Sequence, residues 1–348
     1  MRKVREGSAE VFIPTEEKIS KELPVFYNPA MKLNRDISIL LLQQFPSMNI
    51  CDLLAGTGIR AIRMAKELKH KSIAANDNSK KAFELIKENM RLNKVKFSVH
   101  NEDANRFLLN SKGFDYIDVD PFGSSNFFLD AAVKRISRNG ILAVTNTDTA
   151  ALTGTYPKAC IRKYWATPKR DYMMHETGLR ILIRRVQLIG MQYEKALIPI
   201  FSYYKDHYLR IFFKCIKGKK ECDKVAEQHG VLNNAGPLWL GILWDKKLAD
   251  KIYRKTIGNK IIKINDNKSY DELLKFLKII KEESKINAAG FHDIHEAAKE
   301  KKLKVLMKKE DLIRKIRKIG YKAASTHFSG TGIRTDIDYK RFLALLKG

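Results

Sequence analysis

A glycine-rich turn between a strand pattern and a helix pattern constrains this chain more than any other feature. The apolar run Asn49–Leu54 predicts a buried strand, which leads through the turn Ala55–Gly58 into an amphipathic helix pattern. Strand and helix patterns then alternate as far as Ile141–Asn146. This alternation predicts an α/β fold with a doubly wound parallel sheet. Two longer strand patterns, Gln192–Tyr203 and His207–Cys215, predict an antiparallel hairpin that closes the sheet.

The glycine turn predicts a site for a cofactor that carries adenosine. Gly56 and Gly58 allow a sharp turn and a close approach of a ligand, and the helix that follows offers free backbone N–H groups. Asp77 ends the next strand, where a carboxylate can bind both ribose hydroxyls. Asp103 and Ala104 follow the third strand and can meet the adenine amino group. These positions favour S-adenosylmethionine, in a Rossmann-like class I methyltransferase domain.

A second candidate segment, Asp120–Gly123, follows the fourth strand at the same edge of the sheet. Methylation of an exocyclic amine is difficult because the nitrogen lone pair is delocalised into the base. The carboxylate of Asp120 and the backbone carbonyl of Pro121 can accept both amine hydrogens, and Phe122 offers a flat face for an extruded base. Asp118 lies two residues earlier on the same strand face, and we rank it second as the carboxylate.

The charge distribution predicts a nucleic-acid partner. The chain has a net charge of +27, and residues 246–348 hold 27 Lys and Arg against 13 Asp and Glu. An excess of cations without matching acids is typical of a surface that neutralises phosphates. The candidates for contact with the backbone of the nucleic acid are Arg314, Lys315, Arg317, Lys318 and Arg334.

The chain divides into two predicted domains. Residues 1–220 form the catalytic domain, and residues 235–348 form a smaller basic α+β domain that binds nucleic acid. In the second domain a helix (Asp293–Lys301), a basic helix (Lys309–Ile319) and a β-like tail (Ala323–Asp336) follow one another, in the order of a winged-helix module.

Composition excludes several other classes of protein. No apolar run approaches the length of about 20 residues that crosses a bilayer, and no secretory signal is visible. The four cysteines are too few and too scattered for a disulfide scaffold, and they predict a cytoplasmic protein. No Cys-x-x-Cys pair occurs, so we expect no metal. No obligate protein partner is evident.

With these motifs in view, the chain resembles the tRNA (guanine-26 N2)-dimethyltransferase family almost from end to end. The segments that carry the resemblance are Arg5–Gly7, Phe26–Pro29, Asn34–Asp36, Ala55–Arg60, Asp120–Gly123, Thr145–Asp148, Gly236–Gly241 and Thr326–Asp336. The resemblance implies transfer of methyl groups from S-adenosylmethionine to the exocyclic N2 of guanine 26 in tRNA. The products would be N2-methylguanosine, then N2,N2-dimethylguanosine, and S-adenosylhomocysteine.

The resemblance also implies roles for individual residues. It places Asp120 as the catalytic acceptor and suggests that Phe26 and Phe122 sandwich the guanine. The residues that it assigns to the cofactor are Arg35, Arg60, Asp77, Asp103 and Ala104. A guanidinium at Arg35 or Arg60 could hold the carboxylate of the cofactor's methionine.

Three other functions stay open at this point. An amino-methyltransferase that acts on another base or another RNA position, or on protein, would use a related loop. A nicotinamide-dependent dehydrogenase is compatible with the pattern Gly56-x-Gly58-x-x-Ala61 but leaves the Asp120–Gly123 segment and the positive charge without a use. A protein that binds nucleic acid without catalysis would leave the glycine turn unexplained.

Overall fold

The computed structural model describes residues 1–15, 25–259, 267–303 and 306–346. An N-terminal hairpin of β1 (Arg2–Glu6) and β2 (Ala9–Ile13) precedes a seven-stranded sheet. The strands of this sheet are β3 (Met48–Asp52), β4 (His70–Asn76), β5 (Ser98–His100), β6 (Phe114–Val119), β7 (Ile136–Asn146), β8 (Lys195–Lys205) and β9 (Tyr208–Lys217).

The order of strands confirms the predicted α/β fold. The sheet runs β5-β4-β3-β6-β7-β9-β8, and only β9 is antiparallel to its neighbours β7 and β8. Chain order reverses beside β3, because β4 lies on one side of it and β6 on the other. Doubly wound sheets bind ligands at such a switch point, outside the carboxyl ends of the strands. The parallel neighbours β3 and β6 end at this edge, so the glycine turn after β3 and the Asp120–Gly123 loop after β6 both lie there.

Helices cover both faces of the sheet. They are α1 (Lys32–Leu42), α2 (Ile59–Glu67), α3 (Lys80–Asn93), α4 (Ala104–Asn110), α5 (Asn126–Arg135), α6 (Thr149–Leu152), α7 (Pro157–Tyr164), α8 (Met174–Met191) and α9 (Lys219–Ala226). Ser79 caps α3 through a hydrogen bond from the Ala82 N–H to its hydroxyl. The hairpin turn between β8 and β9 lies at Asp206 and His207, one residue later than the sequence pattern indicates.

Two segments without a clear periodic pattern are nevertheless ordered. The N-terminal segment before the first predicted strand forms the β1–β2 hairpin. The Thr- and Pro-rich stretch 147–168 contains α6 and α7. These helices are short, and Pro157 stands at the first position of α7, where proline starts a helix instead of breaking one.

The remaining elements form a smaller C-terminal part. They are β10 (His229–Leu232), β11 (Ala235–Trp239), α10 (Lys246–Ile257), α11 (Asn267–Glu283), β12 (His292–Asp293), α12 (Ile294–Glu300), α13 (Lys309–Lys318), β13 (Ala323–Ser325), β14 (Gly332–Thr335) and α14 (Tyr339–Leu346). A three-stranded sheet in the order β12-β14-β13 packs beside the helices, which matches the predicted succession of helices and hairpin.

The hydrophobic interior consists of one large core and several smaller ones. The large core surrounds the seven-stranded sheet and continues into α10 and α11, whereas a separate core lies between Ile294 and Leu346. The division into domains at residues 220–235 stays a prediction. Among the described residues, no helix has the length and apolar character needed to cross a membrane.

The position of Arg334 contradicts one expectation from the sequence. We expected it to contact a phosphate, but it is buried in β14. Its Nη2 lies 2.5 Å from Glu176 Oε2 on α8, and its Nε lies 2.9 Å from Glu283 Oε1 on α11. Burial and two carboxylates leave this guanidinium no access to nucleic acid. Arg334 instead joins the C-terminal sheet to α8, which packs against the seven-stranded sheet.

Replacement of Arg334 by alanine should therefore destabilise the protein severely. Arg334→Ala removes a buried guanidinium from Glu176, which keeps Arg180, and from Glu283, which keeps only His327, and removal of one partner of a buried ion pair lowers the free energy of unfolding by about 3–5 kcal/mol. The exposed Arg314, which pairs with Asp311 on the surface, is the matched control, and its change should stay within about 0.5 kcal/mol. Urea denaturation measures both; equal losses would contradict the assignment.

Candidate active site

A cavity of about 390 Å³ opens at the carboxyl edge of the sheet. Its walls come from the segment Phe26–Met31, the end of β3, the glycine turn and the loop after β6. Its volume lies in the range of pockets that hold small ligands and cofactors. The predicted residues Arg35, Arg60, Gly56 and Asp120 all line it.

The two glycines of the turn have different roles. Gly56 has φ +54°, and a Cβ at this position would lie 2.8 Å from the backbone oxygen of Phe26. Only glycine therefore lets the segment that carries Phe26 cross the turn. Gly58 has φ +77° and precedes α2, and a Cβ there would press on Ile86 of α3 at 3.1 Å. Gly58 thus serves helix packing, while Gly56 shapes the cavity.

Asp77 holds the glycine turn in place. Its Oδ2 accepts a hydrogen bond from the Gly56 N–H at 2.8 Å, and its Oδ1 accepts one from the Ser79 N–H at 2.9 Å. Asp103 caps α4 by accepting from the Arg106 N–H, and Ala104 is buried beside it. The roles of these residues toward a ribose and an adenine stay predictions.

Arg35 is neutralised by a residue that the sequence analysis missed. Its guanidinium donates to both carboxylate oxygens of Glu6, at 2.6 and 2.8 Å, and to the Asn28 backbone oxygen at 3.0 Å. Burial would raise the pKa of Glu6, but Arg35 lowers it to about 2. The β1–β2 hairpin thereby positions Arg35 at the cavity wall.

A chain of buried ion pairs lies beneath the loop that carries Asp120. Arg210 of β9 binds both oxygens of Asp118, at 2.7 and 2.9 Å. Arg60 of α2 lies 3.3 Å from Asp118 Oδ2 and donates through its other terminal nitrogen to Asp120 Oδ2. Burial would raise the pKa of Asp118, but Arg210 and Arg60 hold it below its usual value.

This chain separates the two candidate carboxylates. Asp118 is fully buried with both oxygens bonded to arginine, so it cannot meet a substrate. Asp120 keeps 18% of its side chain exposed at the cavity wall, with its Oδ2 bonded to Arg60. Arg60 itself also donates to Asn34 and Ser38, so in this structure it fastens the loop to α2. Its predicted contact with a cofactor carboxylate stays a prediction.

Asp52 is a second carboxyl group at the cavity besides Asp120, and the sequence analysis also missed it. It ends β3 directly before the glycine turn, is buried, and accepts a hydrogen bond from the Ala61 N–H at 3.1 Å. Burial is the main cause that raises its pKa to about 7, and Asp118 and Asp120 raise it against the opposing effect of Arg60. The two nearby arginines match Asp118 and Asp120, which leaves Asp52 without a cation of its own.

Phe26 and Phe122 meet at the mouth of the cavity. Their ring centroids are 4.7 Å apart, with an interplanar angle of 68°. Both rings are partly exposed. A base stacked between two rings needs about 3.5 Å on each side, so these rings must separate to receive one. The structure thus brings the two aromatics together, and the sandwich itself stays a prediction.

Hydrogen bonds beyond the predicted residues fix the loop after β6. The Gly123 N–H donates to Thr147 Oγ1 at 2.7 Å, and the Thr147 N–H donates back to the Gly123 oxygen at 3.0 Å. The Ser124 hydroxyl lies 3.1 Å from the Tyr164 hydroxyl of α7. His207, at the β8–β9 turn, also lines the cavity. Nothing in the local sequence pattern signals these partners, because each lies on a distant element.

The predicted phosphate contacts on α13 differ in their surroundings. Lys315 donates to the Leu345 backbone oxygen at 3.0 Å, and Arg317 donates to that of Ala323 at 2.8 Å. Arg314 pairs with Asp311, and Lys318 is exposed. Contact of these four residues with RNA stays a prediction. Over the described ranges, no three His, Cys, Asp or Glu side chains lie together as a metal site would require.

The residues of the cavity fit S-adenosylmethionine. Gly56 keeps open a space that a Cβ would fill, and the wall combines aromatic rings with the carboxyl groups of Asp52 and Asp120. Of the residues predicted to hold it, Arg35 and Arg60 line the cavity, whereas Asp77, Asp103 and Ala104 are not among its lining residues, so their contacts with the cofactor stay predictions. An adenosine ligand with a cationic sulfur suits a pocket with apolar faces and acidic groups.

The pH dependence of stability should reveal the unusual state of Asp52. Its pKa of about 7 in the folded protein exceeds its ordinary value of 3.8. Between these values the unfolded chain has lost a proton that the folded protein keeps, so this group's contribution to stability falls as the pH rises from about 4 to about 7. Asp52→Asn retains an acceptor for the Ala61 N–H and removes this loss.

We therefore expect Asp52→Asn to gain stability relative to the unmodified protein as the pH rises, with a plateau above about pH 7. Urea denaturation at several pH values between about 5 and 8 measures the difference. A difference that stays constant across this range would contradict the raised pKa.

Comparison with known proteins identifies the family. The sequence matches the model of the family "N2,N2-dimethylguanosine tRNA methyltransferase" over residues 7–235 and 229–347. A tRNA (guanine(26)-N(2)/guanine(27)-N(2))-dimethyltransferase of Aquifex aeolicus is 36% identical over 384 residues, covering 99% of this chain and 95% of the relative. A tRNA (guanine(26)-N(2))-dimethyltransferase of Pyrococcus horikoshii is 37% identical over 382 residues, covering 99% and 97%.

The fold agrees with this match. The structure of Trm1 from Pyrococcus horikoshii in complex with S-adenosyl-L-methionine is similar to this chain with a TM-score of 0.90 at 35% sequence identity, covering 100% of both chains. The resemblance inferred from the motifs is thus confirmed over the whole length. The chain belongs to the N2,N2-dimethylguanosine tRNA methyltransferase family.

Proposed function

We propose that this protein transfers methyl groups from S-adenosylmethionine to the exocyclic N2 of guanine 26 in tRNA, giving N2-methylguanosine and then N2,N2-dimethylguanosine. One observation carries the proposal for this chain. Asp120 and Pro121 lie at the wall of the same cavity as Gly56 of the glycine turn, at the switch point of the sheet. The full-length similarity to guanine-26 dimethyltransferases supports the choice of substrate.

The chemistry follows from the groups that this chain supplies. S-adenosylmethionine, when bound, supplies an electrophilic methyl group on a sulfonium sulfur. Arg60 binds Asp120 Oδ2, so Asp120 Oδ1 is available to accept one amine hydrogen of the guanine. The Pro121 carbonyl accepts the other. Accepting both hydrogens directs the nitrogen lone pair toward the donor, and Asp120 takes the proton that the nitrogen releases.

The same groups can serve the second transfer. A monomethylated amine keeps one hydrogen, which Asp120 Oδ1 can accept again. Phe26 and Phe122 hold the base by stacking after their rings separate, because base–aromatic stacking tolerates the added methyl group. The partner is tRNA, which the basic C-terminal part would grip mainly through its shape and phosphates. The four buried free cysteines fit a cytoplasmic location. We propose that the protein needs no obligate protein partner.

Nucleoside analysis tests the activity directly. Unfractionated tRNA is incubated with the purified protein and methyl-labelled S-adenosylmethionine, digested and separated by mass spectrometry. We expect N2-methylguanosine first and N2,N2-dimethylguanosine later, and fragment mapping locates the label at guanine 26 or at guanine 27 as well. Label found only in N6-methyladenosine would instead establish the alternative, an amino-methyltransferase for another base.

Loss of the charge on Asp120 should reduce the rate of methylation without removing the cofactor site. Asp120→Asn keeps the size of the side chain but cannot take the amine proton, so we expect kcat to fall by about 100-fold or more. Asp115→Asn is the matched control, because Asp115 lies near the opposite end of β6. Affinity for S-adenosylhomocysteine, measured by calorimetry, should stay unchanged in both variants. Full activity of Asp120→Asn would refute the mechanism.

Removal of either aromatic ring should weaken the binding of the base. Stacking contributes about 1–3 kcal/mol per base. Phe26→Leu and Phe122→Leu should therefore each lower kcat/KM for tRNA by about 10-fold or more. Phe45→Leu is the control, because Phe45 lies before β3 at the opposite edge of the sheet. Steady-state kinetics with saturating S-adenosylmethionine measures the effect. Unchanged kinetics in both variants would rule out the sandwich.

A further inference from the structure

We propose that a cationic and aromatic surface on α7 binds the tRNA strand beside the methylated guanine, within the catalytic part of the protein. We name this surface the α7 face. Its residues are Tyr156, Lys158, Ile161, Arg162 and Trp165. The proposal rests on the proposed function, since it takes tRNA as the substrate, and it adds a binding surface that lies outside the cavity and outside the basic C-terminal part.

The α7 face exposes large side chains that a water-soluble surface normally covers. Tyr156 is 63% exposed, Ile161 48% and Trp165 54%. They share one short helix and its two ends, whereas Cys160 and Tyr164 on the other side of α7 are buried. Clustered exposed aromatic residues mark an interaction surface. Aromatic rings among cations are the features on which bases of single-stranded nucleic acid stack.

The charge of the surface is positive and without internal compensation. In the part of the chain that the structure describes, Lys158 and Arg162 have no carboxylate within ion-pair distance, while Lys163 pairs with Asp148 at 2.8 Å. On the adjoining face of α8, Arg184 and Arg185 are half-buried and likewise form no ion pair within the described ranges. Four cations without acids attract a polyanion and repel a basic protein surface, so the charge selects nucleic acid.

Trp165 has a backbone conformation that glycine or asparagine would adopt more easily. It ends α7 with φ +55°, in the left-handed region. A bulky residue there costs about 1 kcal/mol or more relative to glycine. The Arg185 guanidinium lies 4.2 Å from the centre of the indole ring, and Arg184 donates to the Trp165 backbone oxygen at 3.4 Å. The ring is thus held by a cation while much of it stays exposed, as a stacking platform requires.

Hydrogen bonds connect α7 directly to the loop that carries the catalytic groups. Tyr164 contacts Ser124 at 3.1 Å and accepts from the Asn146 amide at 3.0 Å. The Asn126 amide donates to the Lys163 backbone oxygen at 2.9 Å. Ser124 and Asn126 follow Phe122 by only two and four positions. These bonds hold α7 against the loop that follows Phe122, so RNA bound on the exposed side of the helix would be the strand flanking the guanine.

Charge reversal on the α7 face tests the proposal. Lys158→Glu with Arg162→Glu should raise the KM for tRNA by about 10-fold or more, because phosphate contacts dominate such affinities. It should also make tRNA binding less dependent on salt, by about one unit or more in the slope of log affinity against log salt. The kcat at saturating tRNA and the affinity for S-adenosylhomocysteine should stay within about twofold of the unmodified protein, since neither variant residue lines the cavity.

The matched control reverses the same number of charges elsewhere. Lys219→Glu with Lys220→Glu changes two exposed lysines on α9. This helix follows the end of β9, at the edge of the sheet opposite the β8–β9 turn and the cavity. We expect its KM for tRNA to change by less than about threefold. An equal rise of KM in both double variants would mean that only net charge matters, and it would overturn the proposal.

A second variant separates stacking from charge. Trp165→Gly removes the indole, and glycine adopts φ +55° without strain, so the end of α7 is preserved. We expect an unchanged or higher thermal stability together with a KM for tRNA raised by about fivefold or more. An unchanged KM would show that Trp165 does not contribute to tRNA binding. If the KM of the charge-reversal variant is unchanged as well, the proposal that the α7 face binds tRNA is wrong.

The outcomes distinguish this proposal from the proposed function. If the unmodified protein methylates no guanine in tRNA, the proposed function fails, whatever the variants do. If it methylates guanine 26 while the α7 variants bind and methylate tRNA as it does, only the α7 face fails. Filter binding of labelled tRNA, measured without the cofactor, gives the affinity independently of catalysis.

Discussion

The chain of ion pairs from Arg210 through Asp118 and Arg60 to Asp120 holds the site together. It connects β9 and α2 with the segment that runs from β6 into the Asp120–Gly123 loop, so three segments distant in the sequence meet at one edge of the sheet. Buried charges are tolerated only where each finds a partner, and here two guanidiniums balance two carboxylates. Asp52, the other carboxyl group at the cavity, has a raised pKa mainly because it is buried, and the nearby charges of Asp118 and Asp120 raise it further against the effect of Arg60.

The sequence predicted the framework of the site because that framework is local. Strand periodicity, the glycine turn and the Asp120–Gly123 segment each occupy a few consecutive residues, and parallel strands bring their carboxyl ends to one edge. Partners far apart in the chain were invisible: Asp118 and Arg210 are 92 positions apart, and Arg35 and Glu6 are 29 apart. The expectation that Arg334 contacts a phosphate was wrong for the same reason, because its partner Glu176 lies 158 positions away in the sequence.

The buried arginines affect how the net charge is interpreted, because a buried and paired cation cannot contact a phosphate. Six of them pair with buried or nearly buried acids, namely Arg35, Arg60, Arg63, Arg180, Arg210 and Arg334. The ion-pair partners of these six arginines are seven acids, so the arginines contribute nothing to the excess of +27. The excess therefore belongs to surface residues, where a cation is still available to a phosphate. A count of basic residues indicates a polyanionic partner, but burial decides which of them can meet it.

At the mouth of the cavity, some groups are fixed by hydrogen bonds and others must move before a base can bind. Asp120 is bonded to Arg60, and Gly123 is bonded to Thr147, so the loop that we propose contacts the amine is held in place without a bound base. Phe26 and Phe122, in contrast, contact each other and fill the space that the proposed sandwich assigns to the guanine. Opening them breaks one ring contact, and stacking of the base forms two in its place. In the proposed sandwich the base itself would supply the free energy that opens the mouth, and its entry would be coupled to completion of the site.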